Sequence, residues 1–139
     1  MSWWKHDPQG GYRVTEAWAA PTEVTGHDLV LWDWDGDEPT AVLAPSGMLT
    51  VLPGFWWDGA SGPAIDTRSF MRASCAHDAL YRFMRSSLLA EQGNRRLADR
   101  VMFRLAREDG MWWPRAVWCY LAVRWGAWWA SHPIPTDTP

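Results

Sequence analysis

Apolar and polar positions divide the chain into a strand-rich first half and a helical second half. Up to about residue 52, apolar residues occur in short runs between turn residues, which is typical of β-strands. The predicted strands are 29–34, 40–43 and 48–52, with an additional edge strand at 12–18. Asp35-Gly36 is a hairpin signal between the first two. These strands predict a small antiparallel β-meander over about residues 10–52.

The second half follows the helical period of 3.6 residues. It predicts one helix from Asp66 or Thr67 to about Leu89, and further helices over about 95–109 and 114–129. The intervening segment, 53–66, is rich in glycine and proline and predicts a sharply turning loop. Strands followed by three helices predict an α+β fold, and the length predicts a single domain over 1–139, with a helical part at about 67–130.

Three polar residues lie at the margins of the predicted helical stripes. His77 and Tyr81 are four residues apart and share one margin of the first helix. Asp78 is turned about 100° further round the same helix. Asp99 lies at the edge of the stripe on the second helix. If the two helices pack antiparallel on these stripes, His77, Tyr81 and Asp99 come together.

Such a trio predicts general-base chemistry. A carboxylate that accepts a hydrogen bond from one imidazole nitrogen leaves the other nitrogen to take a proton from water. Asp78 could hold a hard cation, completed by carbonyl oxygens of a glycine-rich loop, which would polarise an ester carbonyl. The alternative is a structural histidine, with Asp99 paired to Arg95 or Arg96. From the helical pattern alone this alternative is favoured.

Composition excludes several classes of protein. With 47% hydrophobic and 21% charged residues, the chain is not a disordered protein. A net charge of −3 argues against a nucleic-acid binder with a basic surface. Two cysteines cannot form a disulfide framework. The charge distribution predicts no transmembrane segment, and the first residues predict no signal peptide.

The chain is tryptophan-rich, with 13 tryptophans against three tyrosines and four phenylalanines. Several occur as neighbours, at 3–4, 56–57, 112–113 and 128–129. Adjacent side chains point in different directions, so both members of a pair are difficult to bury. We therefore predict that the third-helix tryptophans (118, 125 and 129) lie in the core. The paired loop and terminal tryptophans are predicted to meet a partner, either lipid or protein.

Four motifs follow one another along the chain. They are PGFWWDGASGP at 53–63, HDALY at 77–81, ADRVMF at 98–103 and AVRWG at 122–126. In this order they resemble a bacteriophage and prophage protein family of unknown function, with its PGFxxDGASxP, HDxLY and ADxxF signature; in ADRVMF the Asp and Phe are one residue further apart. The resemblance spans about residues 48–128. It implies a phage protein located in the virion or the host cytoplasm, with no established activity.

The helix pair with its His-Asp and Ala-Asp motifs also resembles phospholipase A₂, especially the form in parvovirus capsids. That resemblance implies that His77 is the general base, Asp99 its orienting carboxylate and Tyr81 a support for Asp99. It implies that Asp78 is a calcium ligand, and Gly59 and Gly62 fall where the calcium loop should be. Asp58 is an additional carboxylate in that loop.

Three functions therefore stay open. The first is a calcium-dependent ester hydrolase acting on phospholipid at a membrane interface. The second is a non-catalytic virion component of the tail, neck or baseplate, which contacts other virion proteins. The third is a metal-dependent hydrolase of the cell envelope, used in entry or lysis, in which His77, Asp78 and Asp58 would bind zinc.

Overall fold

A computed structural model describes residues 2–33, 35–58 and 68–126, and in these ranges strands precede helices. The strands are β1 (Trp4–His6), β2 (Tyr12–Val14), β3 (Trp18–Pro21), β4 (Leu29–Trp32), β5 (Pro39–Leu43), β6 (Met48–Val51) and β7 (Trp56–Trp57). A 3₁₀ turn at Arg68–Phe70 leads into α1 (Met71–Arg85), which is followed by α2 (Asn94–Glu108) and α3 (Trp113–Gly126). The predicted α+β class is confirmed.

The strands form two antiparallel sheets rather than one meander. The larger sheet has the order β3-β6-β5-β4, in which β4, β5 and β6 are the predicted meander. The smaller sheet has the order β1-β2-β7. The predicted edge strand 12–18 is split between the sheets, because its two ends pair with different partners: Tyr12 with Trp57, and Trp18 with Val51.

Strand β7 lies inside the segment for which the sequence predicted only a loop. Two residues are too few to produce an alternating pattern, so the strand is defined by its partner and not by its own sequence. The backbone N–H of Val14 donates to the Phe55 carbonyl at 2.8 Å and fixes the start of β7. Asp58 follows directly after this strand, so the sheet holds its backbone close to β2.

The smaller sheet connects to α1 through Trp57. The Trp57 ring is fully buried, stacks on Trp3 with 5.6 Å between ring centroids, and donates from Nε1 to Ser74 Oγ at 3.1 Å. Gly11 permits this packing, because its φ is +76° and a Cβ there would lie 2.7 Å from the Trp57 carbonyl oxygen. The pair Trp56–Trp57 is thus packed largely within the chain.

The helices bury the predicted stripes. On α1 the buried residues include Ala73, Ala76, Leu80, Phe83 and Met84, and on α2 they include Val101, Met102 and Leu105. Leu88, which the helical period placed in the same stripe, is 45% exposed. The reason is that α1 ends at Arg85 and the backbone turns at Ser87, whose φ is +61°.

The third helix differs from its prediction. Trp118 was expected in the core but is 52% exposed, whereas Ala116 and Cys119 are buried on the opposite side of α3. The side chain of Trp125, together with Trp128 and Trp129, lies outside the described residues. In the part of the chain that the structure covers, none of the helices is long and apolar enough to cross a bilayer.

Replacement of Gly47 tests the close packing of the turn that precedes β6 in the larger sheet. Its φ is +93°, and a Cβ would lie 2.4 Å from the carbonyl oxygen of Thr22. Gly47→Ala should therefore lower the free energy of unfolding by at least about 2 kcal/mol, from steric overlap added to backbone strain. Gly36 has a φ of +72° with open space around it, so Gly36→Ala should cost only about 1 kcal/mol. Urea unfolding of both variants measures the difference, and equal losses would contradict the proposed overlap.

Candidate functional site

The centre of the candidate site is the carboxylate of Asp99, which is fully buried. Its Oδ1 atom lies 2.6 Å from His77 Nε2 and accepts a second hydrogen bond, also 2.6 Å long, from the Tyr81 hydroxyl. Its Oδ2 atom accepts a hydrogen bond from Arg124 Nη1 at 3.1 Å. One carboxylate thus receives donors from two other helices, and the predicted trio of His77, Tyr81 and Asp99 is brought together.

Helix geometry explains why these side chains meet. His77 and Tyr81 lie on successive turns of α1 and face the same direction, with 4.0 Å between their ring centroids. Asp99 lies on the face of α2 that packs on α1, next to the small buried Ala98. The short connection between Arg85 and Asn94 makes the two helices antiparallel neighbours.

The hydrogen bonds determine which atoms carry protons. Burial raises the pKa of Asp99, but the hydrogen bonds from His77, Tyr81 and Arg124 outweigh it and lower the pKa overall. The carboxylate is therefore ionised and can only accept. Burial, and then the charge of Asp99, raise the pKa of Tyr81, so its hydroxyl stays a donor. His77 must hold its proton on Nε2, which leaves Nδ1 with a lone pair when the ring is neutral.

Arg124 is the member of the site that the sequence did not predict. The structural alternative paired Asp99 with Arg95 or Arg96, but the carboxylate is paired with Arg124 from α3, 25 residues further along the chain. Arg95 instead donates to the Arg124 backbone carbonyl at 3.4 Å. The AVRWG motif contained Arg124, but neither spacing nor helical period connects that motif to Asp99.

A cleft of about 870 Å³ lies on the neighbouring side of α1, between this helix and the strands. Asp58, Asp78, Tyr81 and Arg82 are among its lining residues, and the strands contribute Trp32 and Trp56 among others. Tyr81 is thus among the residues that line the cleft, and its hydroxyl contacts Asp99. The His77 ring is 13% exposed and is not part of the cleft lining.

Asp78 is partly buried: its side chain is 33% exposed, but its Oδ2 atom is fully buried. Arg82 Nη2 lies 3.0 Å from Asp78 Oδ2, which is an ion-pair contact without hydrogen-bond geometry, and this buried oxygen accepts no hydrogen bond. Burial raises the pKa of Asp78, Arg82 opposes this rise, and the charge of Asp58 adds to it. Arg82 is itself held over the Phe55 ring, 4.6 Å from its centroid, and donates to the Trp56 carbonyl.

The predicted metal ligands are only partly assembled in the described residues. Asp58 and Asp78 line one cleft and interact electrostatically. Gly59 and Gly62 lie outside the described residues. The zinc set of His77, Asp78 and Asp58 does not converge, since the parts of the chain with assigned positions contain no group of three or more His, Cys, Asp or Glu side chains around one point. His77 Nε2 is directed to Asp99 instead.

Neither cysteine is suited to act as a nucleophile. Cys75 and Cys119 are free thiols that are both buried. Burial raises the pKa of the Cys75 thiol, and the charge of Asp78 raises it further. Burial also raises the pKa of Cys119. A thiol in this state is a small core residue and not an activated group.

Comparisons with known proteins add no family to these observations. No family model matches the chain, and no curated protein or solved structure is significantly similar to it. The assignment of roles therefore depends on the geometry of His77, Tyr81, Asp99 and Arg124.

Removal of the ion pair between Arg124 and Asp99 should have a large effect on stability. The Arg124 side chain is 22% exposed and Asp99 is fully buried, so Arg124→Met would leave a buried carboxylate without its cation. We expect a loss of about 2–4 kcal/mol in the free energy of unfolding. Arg100→Met is the matched control, because Arg100 pairs with Glu23 on the surface at 3.5 Å and should cost less than about 1 kcal/mol. Equal losses for the two variants would rule out a stabilising role for the Arg124 pair.

Replacement of Asp78 should have the opposite effect on stability to replacement of Arg124. A carboxyl whose pKa is raised by folding costs stability as the pH rises above its ordinary pKa of 3.8. Asp78→Asn should therefore unfold at the same or a higher temperature than the wild type at pH 7. The advantage should disappear below about pH 4, where the wild-type carboxyl is protonated in both states. Thermal unfolding at both pH values tests this, and a variant much less stable than the wild type at pH 7 would contradict it.

Proposed function

We propose that this chain is a phage-encoded ester hydrolase with phospholipase A₂-like chemistry, in which His77 is the general base. The observation that carries the proposal is the 2.6 Å contact between His77 Nε2 and Asp99 Oδ1, with the Tyr81 hydroxyl on the same oxygen. The motif resemblance implied these three roles, and the contacts agree with it.

The residues have distinct roles in the proposed reaction. His77 Nδ1 takes a proton from a water molecule as the water oxygen attacks the carbonyl carbon of an ester. Asp99 holds the ring in the required tautomer and stabilises the positive charge that the imidazole acquires. The protonated imidazole then returns the proton to the departing alkoxide oxygen as the carbon–oxygen bond breaks. Tyr81 and Arg124 hold Asp99 and do not touch the reacting atoms.

Asp58 and Asp78 fit a hard cation such as calcium. Both offer oxygen ligands to the same cleft, and Asp78 has a buried oxygen without a hydrogen bond. Arg82 contacts the same oxygen of Asp78, so it would share this carboxylate with the cation. A bound cation would supply electrostatic stabilisation of the ester oxygen as negative charge develops there.

The test is release of fatty acid from phospholipid vesicles, measured with calcium and with a chelator. The wild-type protein should release fatty acid only with calcium. His77→Gln should reduce the rate at least a hundredfold, which is the usual contribution of a general base. His6→Gln is the matched control, because His6 is an exposed residue of β1 and its replacement should leave the rate unchanged.

Two outcomes would refute the proposal. One is the absence of fatty-acid release by folded wild-type protein under every calcium concentration tried. The other is release that is the same in His77→Gln as in the wild type. Melting curves of both histidine variants exclude loss of folding as the cause of a reduced rate.

A non-catalytic virion component is the second candidate function. The observation that favours it is the exposure of large apolar side chains at the start and on the outer face of α3, since such a surface is typical of a contact with another molecule. Detection of the protein in purified phage particles, together with full infectivity of a His77→Gln phage, would favour this candidate over the hydrolase.

A further inference from the structure

Helix α3 is largely apolar, with Arg115 and Arg124 as its charged residues, and among the described residues only one side of it is covered. Ala116 and Cys119 are buried, and Tyr120 and Val123 pack against the core. A helix with apolar residues all round is normally enclosed by protein or lipid. No described residue covers the opposite side of α3 (the structure describes 2–33, 35–58 and 68–126), so its apolar residues require another explanation.

We call this open surface the tryptophan face. It consists of Trp112, Trp113, Trp118 and Leu121, which are 72%, 59%, 52% and 48% exposed. With about 100° per residue, the α3 positions 113, 121 and 118 lie at roughly 0°, 80° and 140° around the helix. The three positions therefore occupy one continuous arc, with Trp112 immediately before its start.

Exposed arginines lie beside the tryptophan face. Arg96, Arg100 and Arg107 share one ridge of α2, since positions four and seven apart lie on the same side of a helix. Within this ridge Arg100 also pairs with Glu23 at 3.5 Å, in a contact exposed to solvent. Phe103 of α2 contacts Tyr120 of α3, with 6.1 Å between ring centroids, so this ridge borders α3. The segment 111–124 contains two arginines and no acidic residue.

Acidic and basic residues are also unevenly distributed along the whole chain. Residues 1–67 contain ten acidic and two basic residues, a net charge of −8, whereas residues 68–139 contain six acidic and eleven basic residues, a net charge of +5. The total of −3 therefore conceals a cationic helical half. A cationic surface around exposed indoles is complementary to anionic groups.

Lipid fits this surface better than a protein partner does. A protein interface normally carries about one hydrogen bond per 100–200 Å² and a polar rim. The tryptophan face offers only indole N–H groups for hydrogen bonding. Indoles favour the boundary between acyl chains and headgroups, where the ring is apolar and the N–H stays wet. Arginines at that level attract anionic headgroups.

We propose that the tryptophan face and its arginine ridge dock this chain on an anionic phospholipid surface, with α3 lying in the plane of the interface. Helix α3 has 14 residues, too few to span a bilayer but enough for an interfacial helix. The proposal deepens the proposed function and rests on it for its biological purpose, because a lipid hydrolase must meet its substrate at a surface. Binding itself is measured without hydrolysis.

The experiment is co-sedimentation of the full chain with vesicles of ether-linked phospholipids, which contain no acyl ester to cleave. Vesicles of phosphatidylcholine alone are compared with vesicles that contain equal parts of phosphatidylglycerol, at low and high salt. The protein should bind the phosphatidylglycerol vesicles more tightly, and binding should weaken at high salt. Hydrogen exchange should slow in residues 112–124 on binding.

Two pairs of substitutions locate the surface. Trp118→Ser with Leu121→Gln should weaken binding at least tenfold, because both side chains lose apolar burial. The control is the double variant Met48→Gln with Leu88→Gln. Both residues are apolar and exposed but lie outside α3, so binding should not change. Arg96→Gln with Arg100→Gln should weaken binding about fivefold for each arginine. The control for this pair is Lys5→Gln, because Lys5 lies in the acidic half of the chain. Its replacement should leave binding unchanged.

The inference is overturned if folded wild-type protein does not bind anionic vesicles, or if both pairs bind like their controls. It is also overturned if sedimentation velocity finds a dimer that Trp118→Ser with Leu121→Gln dissociates, because a second copy would then cover the face. Binding to ether lipids without fatty-acid release from ester lipids would refute the hydrolase alone. Release without dependence on the tryptophan face would refute the docking surface alone.

Discussion

The buried carboxylate of Asp99 is the interaction on which the helical half depends. It is on α2, yet its donors come from α1 (His77 and Tyr81) and from α3 (Arg124). Desolvation of a carboxylate costs several kcal/mol, and this cost is offset only when its oxygens receive well-placed, charge-assisted hydrogen bonds. All three donors are therefore needed at once. The charge that stabilises the helix arrangement is also the charge that sets the tautomer of His77.

Local spacing was sufficient to predict the part of the site formed by neighbouring helices. His77 and Tyr81 are four residues apart and Asp99 lies on the next helix, so the helical period predicted that they meet if the two helices pack antiparallel. Arg124 could not be predicted in this way, because its position depends on how α3 crosses α2. Strand β7 was missed for a similar reason. Its two residues are too few to show alternation, and they pair with Tyr12 and Arg13, which are 43 or more residues earlier in the chain.

The error at Trp118 has a different physical origin. A helical period predicts which residues share a face, but it does not indicate whether that face meets the core or the surroundings. On α3 large apolar residues occur on more than one side, so the pattern did not distinguish the two faces. The small residues Ala116 and Cys119 pack inward, since they allow α3 to approach α2 closely, and the large residues remain outside.

Tyr81 joins two regions that are otherwise distinct. Its hydroxyl donates to Asp99, and the residue is also among those that line the cleft with Asp58 and Asp78. Because Asp78 and His77 are adjacent on the same rigid helix, any rotation of α1 about its axis would move both regions together. The separation between His77 and the Asp78 carboxylate is thus built into one helix, whereas Asp58 is positioned independently after β7. A change in the position of α1 that alters the cleft at Asp78 therefore also alters the contact between His77 and Asp99.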